Sequence, residues 1–436
     1  MKHYFLLALA IVAACKSKEG PPSPQPTPAP TKPTAPPPAD AQETAVQHDV
    51  KTDMPPAKEI ASLVKGSNNF ALELWAHAGT GNTAISPLSI STALAMAWAG
   101  AKGTTGEQMQ KTMRLEGGTD LLVSQFARIA TALQDPKRPL TLRIANKLFV
   151  DAHYDLDPVY MAITKNAFAA PVQPAEFQND PDGVRTAINT WVEQQTEKRI
   201  KDLIPPRAID RETRVVIVNA IYFLANWAEQ FEPTATHPAD FFVDGTQKKQ
   251  VPTMHKQDTF KLAKADGAAM LELPYEGGSA SMYILLPDKP DGLPALEKKL
   301  PATLRTLQSK LVDDTVMVSL PRFTIEPGEP MRLAETLKTL GMTDAFDRDN
   351  ADFTGISNPT DPKDRLFIGE VLHKAFVKVD EKGTEAAAAT AVVMPRGAGM
   401  PPKATPFTAD HPFLFLIVDR SSGLILFIGR VVEPKS

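Results

Sequence analysis

Asp380-Glu-Lys-Gly-Thr-Glu-Ala-Ala-Ala-Ala-Thr-Ala-Val-Val-Met-Pro-Arg-Gly-Ala-Gly399 is the stretch around which the chain is organised. Alanine is the best helix former, so a helix with Gly383 as break and Thr384 as N-cap is one reading. The flanks favour another. Leu366 to Asp380 reads as one long buried strand, and Met400-Pro401-Pro402 cannot continue a helix. A strand therefore runs through Gly383 into small residues and ends in a Pro/Gly-rich loop. Ala386, Ala387, Ala388 and Ala389 suit a segment that must slide between strands already packed, where bulk would not fit. With period 2, Thr384, Ala386, Ala388, Thr390 and Val392 share one face. Glu385 falls on the other, the face expected to stay wet, and Thr384 is expected near the exposed base of the loop. Arg396, followed by Gly397 and Ala398, offers the kind of bond a trypsin-like protease cuts.

The rest of the chain frames this segment. It has 436 residues, 43% of them hydrophobic and 22% charged, enough for one large globular domain plus extras. A net charge of −4 argues against a nucleic-acid binder held by phosphates. The single cysteine, Cys15, excludes an intramolecular disulfide. Lys2 and His3 precede an apolar run, Tyr4 to Val12, too short to span a membrane, and Val12-Ala13-Ala14-Cys15 resembles a bacterial lipobox. Residues 1–14 are then a lipoprotein signal peptide and Cys15 the lipidated residue; an ordinary signal peptide with an incidental cysteine is the alternative. Lys16 follows where an Asp would retain the protein at an inner membrane, which favours an outer membrane if the cell is Gram-negative. Ten of the eighteen residues from Pro21 to Pro38 are proline. At ~3.1 Å per residue they make a semi-rigid spacer of roughly 55 Å. Residues 15–57 are thus a tether, and residues 58–436 the globular domain.

Within that domain, Lys58 to Ala78 carries a helical apolar stripe, and Ile85 to Trp98 is apolar on nearly all sides, a buried helix. Gly100-Ala-Lys-Gly-Thr-Thr-Gly106 lacks the Gly-Lys-Ser/Thr of a phosphate loop; Thr104 with Glu107 reads as a capping box. Leu140 to Val150 reads as a strand, and Asp180-Pro181 as a helix start. Arg214 to Trp227 reads as a central strand covered on both faces. Asp244-Gly245 marks one hairpin, and Glu-Gly-Gly-Ser joins Ala269–Tyr275 to Ser281–Leu286 in another. Met331 to Leu340 reads as a short helix stopped by Gly341. Helices and strands without regular alternation indicate an α+β fold.

Glu381-Lys-Gly-Thr-Glu-Ala-Ala-Ala-Ala-Thr390 resembles the reactive-loop hinge of inhibitory serpins, the serine protease inhibitors. Phe407-Thr-Ala-Asp-His-Pro-Phe-Leu-Phe-Leu-Ile417 and Gly423-Leu-Ile-Leu-Phe-Ile-Gly-Arg-Val431 resemble the family's C-terminal signature. The resemblance covers roughly Lys58 to Pro434. It implies three β-sheets with a large central mixed sheet, about eight to nine helices and an exposed reactive-centre loop. It also implies a hinge at Glu381, Gly383, Thr384, Glu385, Ala386, Ala387, Ala388, Ala389 and Thr390. Ser86, Ser89, Asn219 and His373 match the polar shutter beneath the sheet. Trp227 matches the tryptophan of the breach, where insertion of the loop begins.

No Gly-x-Ser-x-Gly elbow and no His-Glu-x-x-His occurs, the eight histidines are scattered, and His373 beside Lys374 reads as structural. The chain is read as a non-enzyme with no cofactor, metal or nucleic acid, and as a monomer. The resemblance implies a suicide-substrate inhibitor that forms a covalent complex with a serine protease. The reactive bond is Arg396–Gly397 on chemistry, for a trypsin-like target. Family spacing counted from Gly383 gives Gly397–Ala398, for an elastase-like one; Val393–Met394 is a third option, and Pro395 disfavours Met394–Pro395. A non-inhibitory serpin acting as a binding or structural surface lipoprotein is the alternative. Such members usually carry bulky, charged or proline residues in the hinge, and apart from Glu385 none occurs from Thr384 to Val393. A lipid-anchored protein of the cell envelope, or an extracellular one, is expected.

Overall fold

The computed structural model describes residues 54–243, 247–385 and 404–435. Among them nine α-helices and seventeen strands make an α+β fold. Helix α1 (Ala57–Trp75) buries the stripe Ile60, Leu63, Phe70, Leu74 and Trp75. The short strand β1 (Thr83–Ile85) leads into α2 (Pro87–Trp98), buried at every position as its all-round apolar sequence requires. Helix α3 (Gly103–Thr112) starts at Lys102 with no side-chain cap, so the expected Thr104 box does not form. Its entry is held from outside instead: Lys102 N–H donates to the Asp352 carbonyl, and Thr105 Oγ1 accepts from Asp352 N–H. Then come α4 (Thr119–Leu133), β2 (Leu140–Asp151), α5 (Pro158–Ala167), β3 (Gln173–Ala175) and α6 (Pro181–Gln195). Asp180 caps α6 by accepting from Gly183 N–H.

Strand β4 (Val215–Asn226) explains the continuous apolar run before Trp227. Val216, Val218 and Ala220 pack with Ile188 and Val192 of α6, whereas Val215, Ile217, Ile221 and Phe223 join the main core on the opposite face. Burial on both faces leaves no polar alternation to read. The chain continues through β5 (His237–Phe242), β6 (Lys248–Ala265), β7 (Ala268–Pro274) and β8 (Ala280–Pro287). Next are α7 (Leu293–Lys298), α8 (Leu300–Ser309), β9 (Val312–Pro321), β10 (Phe323–Ile325), β11 (Met331–Arg332) and α9 (Ala334–Thr339). The helix expected from Met331 therefore begins three residues later, because Met331 and Arg332 pair with the strand carrying His373 and Leu372. The last strands are β12 (Glu370–Ala375), β13 (Val377–Asp380), β14 (Gly383–Thr384), β15 (Thr405–Thr408), β16 (Phe413–Asp419) and β17 (Ile425–Val431).

The strands form two pairing networks. One has nine strands and runs through β6, whose start pairs with β5 and whose end pairs with β7. Because β6 is 18 residues long, two of the three expected sheets are continuous along it. The other, eight-stranded, is the central mixed sheet. On one side of β4 lies β2, antiparallel over Leu140–Val150. On the other side the sheet forks. β12 pairs with β4 in parallel from Glu370↔Val216 to Ala375↔Ile221. Beyond Phe376, β13 is separated from β4 by β14. The single strand expected from Leu366 to Asp380 is thus two, parted at Phe376 by the width of an intervening strand, ~4.8 Å.

Candidate functional site: the fork of the central sheet

The base of the fork is closed by one row of polar side chains. Asn146 of β2, Asn219 of β4 and His373 of β12 stand opposite one another in register, and the N-terminus of α2 packs beneath them. His373 Nε2 accepts from Ser86 N–H at 3.1 Å, so the ring proton sits on Nδ1 and is donated to Asn219 Oδ1. Asn219 Nδ2 donates to Ser89 Oγ and to Asn146 Oδ1. Ser89 Oγ–H donates to Asn146 Oδ1 at 3.2 Å, and Asn146 Nδ2 donates to the Ser89 carbonyl at 3.1 Å. Every side-chain polar atom of this buried cluster has at least one hydrogen-bond partner, Ser86 Oγ through the Ser89 N–H it accepts. Burial holds the His373 imidazole down to about 3, so it is neutral. Asn146 is the member that sequence reading missed; its signal was an asparagine on the strand face otherwise made by Leu140, Leu142, Ile144, Leu148 and Val150.

The hinge enters at the open end. β13 turns at Glu381–Lys382, and β14 runs back antiparallel between β13 and β4, with Asp380↔Gly383 and Thr384↔Ala225 in register. The turn is pinned from several sides. Trp227 Nε1 donates to the Asp380 carbonyl at 3.0 Å, and Trp227 N–H to the Lys382 carbonyl at 2.7 Å. Phe231 N–H donates to the Glu381 carbonyl at 2.9 Å. The Glu381 carboxylate accepts from Arg322 and Thr236; burial works to raise it, but these bonds prevail and hold it below the usual range.

Gly383 must be glycine. A Cβ there would lie 2.0 Å from the Ala225 carbonyl oxygen and 2.7 Å from Asn226 Cα. Thr384 is fully buried, its hydroxyl 2.6 Å from the Tyr275 hydroxyl, and the Tyr275 ring stacks on Trp227 with centroids 4.7 Å apart. The inward face read from period 2 is therefore observed. The exposed position expected for Thr384 is not, because two residues of the hinge are already paired in the sheet. Glu385 also departs from expectation. It is 6% exposed, takes a positive φ of 50° as the chain leaves β14, and is covered by the segment after α6 through an ion pair with Arg199. Burial pushes its carboxyl up to about 7 against the opposing pull of Arg199 and Lys378.

Residues 65–434 match the model of the family described as Serpin (serine protease inhibitor). The chain belongs to the serpin family. It is 38% identical over 387 residues to leukocyte elastase inhibitor A of Rattus norvegicus, covering 85% of this chain and 99% of the relative. An uncharacterised serpin-like protein of Thermococcus kodakarensis is 39% identical over 379 residues, 86% of each chain. Among solved structures, Serpin48 of the insect Tenebrio molitor, described as a highly specific serpin, superimposes with a TM-score of 0.76 at 30% identity, covering 89% of this chain and all of that one.

In this serpin the described residues bring Ser86, Ser89, Asn219 and His373 into one cluster at the base of the fork. Trp227, Glu381, Gly383, Thr384 and Glu385 lie at its open end. Ala386, Ala387, Ala388, Ala389, Thr390, Arg396, Gly397 and Cys15 lie outside the described residues, as does the Asp244-Gly245 turn. Between fork base and hinge, Tyr222, Phe223 and Leu224 of β4 are paired on the β2 side alone among the described residues. Their free edge is where a longer β14 would bond.

Proposed function

We propose that this serpin is a serine protease inhibitor that acts as a suicide substrate. The observation that carries the reading is β14: the hinge already occupies the first two positions of a strand between β4 and β13, and ahead of it Tyr222–Leu224 of β4 are paired on the β2 side alone among the described residues. The protease serine oxygen attacks the carbonyl carbon of Arg396. The Arg396–Gly397 bond breaks, the Gly397 nitrogen leaves with a proton, and an ester joins the protease to Arg396. The freed loop continues the antiparallel course of β14 and separates β12 from β4. The attached protease is carried along, and its catalytic geometry is distorted before water can complete hydrolysis. Small residues from Ala386 to Ala389 support this course, since each must enter a packed interior.

A relative named for leukocyte elastase supports a serine protease target of the elastase type. Arg396 shifts the choice toward a trypsin-like enzyme, whose pocket carries a buried carboxylate; a cut after Gly397 restores an elastase-like one. The inhibitor acts as a monomer, held at the cell envelope by a lipid on Cys15 with residues 15–57 as spacer. Incubation with trypsin and with elastase, followed by denaturing gel electrophoresis, tests the reading. A band at the summed mass that survives denaturant is expected. Clean loop cleavage without such a band from either enzyme overturns it in favour of a non-inhibitory surface protein.

A further inference from the structure

Two histidines from different strands lie face to face. His237 opens β5 and pairs with Thr253, and His255 stands two residues further along β6, opposite Ser319 of β9. Their rings stack with centroids 4.1 Å apart and planes 14° from parallel. His237 is exposed. His255 is held deeper: its Nδ1 lies 2.9 Å from Ser319 Oγ, and its Nε2 is shut off from solvent with no partner among the described residues. A proton on that nitrogen would have no acceptor. Burial first, and then the neighbouring His237, hold the His255 imidazole below its ordinary value. Parallel rings aim their lone pairs side by side rather than at one point, and no third metal ligand joins them among the described residues. The chemistry of the pair is therefore with protons.

The carboxylates around the pair are engaged elsewhere or solvated. On the turn before β5, Glu229 shares the Lys256 ammonium with Asp258, at 3.6 and 3.7 Å, and Glu232 is exposed. Asp240 of β5 pairs with Lys248 at 2.9 Å, and Asp410 after β15 with His411 at 2.6 Å. β9 carries no charged residue from Thr315 to Pro321. Glu381, at the hinge turn, is engaged by Arg322 and by the Thr236 hydroxyl. Thr236 directly precedes His237, so the stack and the hinge turn hang on one short length of backbone.

We propose that the His237–His255 stack is an acid-released latch on the start of β5: proton uptake by both rings parts them, draws Thr236 from Glu381 and loosens the hinge turn. Two imidazolium rings 4.1 Å apart repel one another, and the second proton would sit on a nitrogen with no acceptor. The closed latch therefore binds fewer protons than the open one. Its stability is fully present above the ordinary histidine value, about 6.5, and is lost as pH falls below it. Each proton taken up only on opening favours the open form by up to about tenfold per pH unit. The turn at Glu381–Lys382 sets the register of β14 against β13 and β4, so a loosened turn slows the first pairing of an inserting strand. The hinge is thus held ready at neutral pH and released in acid.

The effect on inhibition rests on the loop-insertion reading above; the opening does not, so each has its own readout. Amide hydrogen exchange of the intact protein is followed by mass spectrometry at about pH 7 and about pH 5.5, with rates corrected for intrinsic chemistry. Segments 229–243 and 377–385 should lose protection about threefold or more at the lower pH. His237→Phe keeps a ring on the stack that cannot charge, and should abolish the loss in both segments; His237→Gln, a second uncharged variant, should do the same. His77→Gln, exposed after α1, should respond as the parent does. A contribution from His373 is told apart because it falls on segments 86–98 and 370–375 and persists in His237→Phe. Thr236→Val should keep the response in 229–243 and cut its transmission to 377–385. Equal protection at both pH values, or a loss that both His237 variants retain, overturns the latch. A loss confined to 229–243 in the parent overturns the link to the hinge. With a protease active at both pH values, the inhibitor consumed per protease inactivated should rise about threefold or more in acid for the parent relative to His237→Phe. Equal ratios with the exchange response present overturn the effect on inhibition; no trapped protease at either pH overturns the loop-insertion reading and leaves the latch standing.

Discussion

Thr384 concentrates the account in one side chain. It is fully buried against Tyr275, and the guanidinium of Thr384→Arg would have no partner there. An unpaired charge in that interior costs several kcal/mol, so the variant should expel β14 while the rest of the sheet keeps its pairing. The expected outcome is a folded protein cut normally at Arg396–Gly397 but slow to insert, because the acyl-enzyme hydrolyses first. The number of inhibitor molecules consumed per protease inactivated should rise severalfold or more, and a ratio equal to the parent's would contradict the role of the hinge. Arg396→Ala is the complementary change, acting on recognition. It should slow trypsin inhibition by orders of magnitude with stability within about 0.5 kcal/mol of the parent, because a residue that a protease must reach carries little packing. Unaltered trypsin inhibition would place the reactive bond elsewhere. Which way Thr384 faces was legible, since period 2 fixes parity. The burial of Glu385 was not, because parity does not say what covers a face. Its cover, Arg199, comes from a distant segment that only the fold brings near.

At the scale of elements, the proposed insertion makes the β4–β12 ladder the lock and the fork at Phe376 its open end. Full insertion must break the ladder, and with it the bond between His373 and Asn219. The imidazole is neutral when folded, at about 3 against an ordinary value of 6.5. A depressed value means stability that is fully present above about pH 6.5 and is lost as pH falls toward 3. The loss approaches ~1.4 kcal/mol per pH unit for one group. His373→Asn should therefore lower stability at pH 7 and flatten its decline between about pH 6 and 4. Denaturant unfolding of both proteins across that range checks it, and parallel curves would contradict a neutral buried imidazole. β4 and α2 were legible because continuous apolar sequence marks burial on all sides, and β-branched Val215-Val-Ile-Val218 against alanine-rich Ala93–Ala97 separates strand from helix. The fork was not: both halves of Leu366–Asp380 are equally apolar, and only the position of β14 separates them. The start of α3 was missed for a similar reason, since its entry is set by Asp352 rather than by a local cap.

For the whole molecule, the account holds that the uncut fold is metastable and tethered. Cys15→Ser should move the protein from the membrane fraction to a soluble or unprocessed form, read by fractionation and blotting; retention in membranes would contradict lipidation. The central claim is that a strand's place is held open in the main sheet. The edge at Tyr222–Leu224, unpaired among the described residues, and the two residues of β14 define that place, and on the proposed mechanism cutting the loop would supply the strand to fill it. New backbone pairing on both sides of an inserted strand would more than replace the single β4–β12 ladder that it separates. The direct measurement is thermal unfolding before and after quantitative cleavage within residues 386–403 by a protease that is not trapped. The account predicts a rise in melting temperature of at least about 10 °C on cleavage; superimposable melting curves for the cut and uncut forms would contradict it.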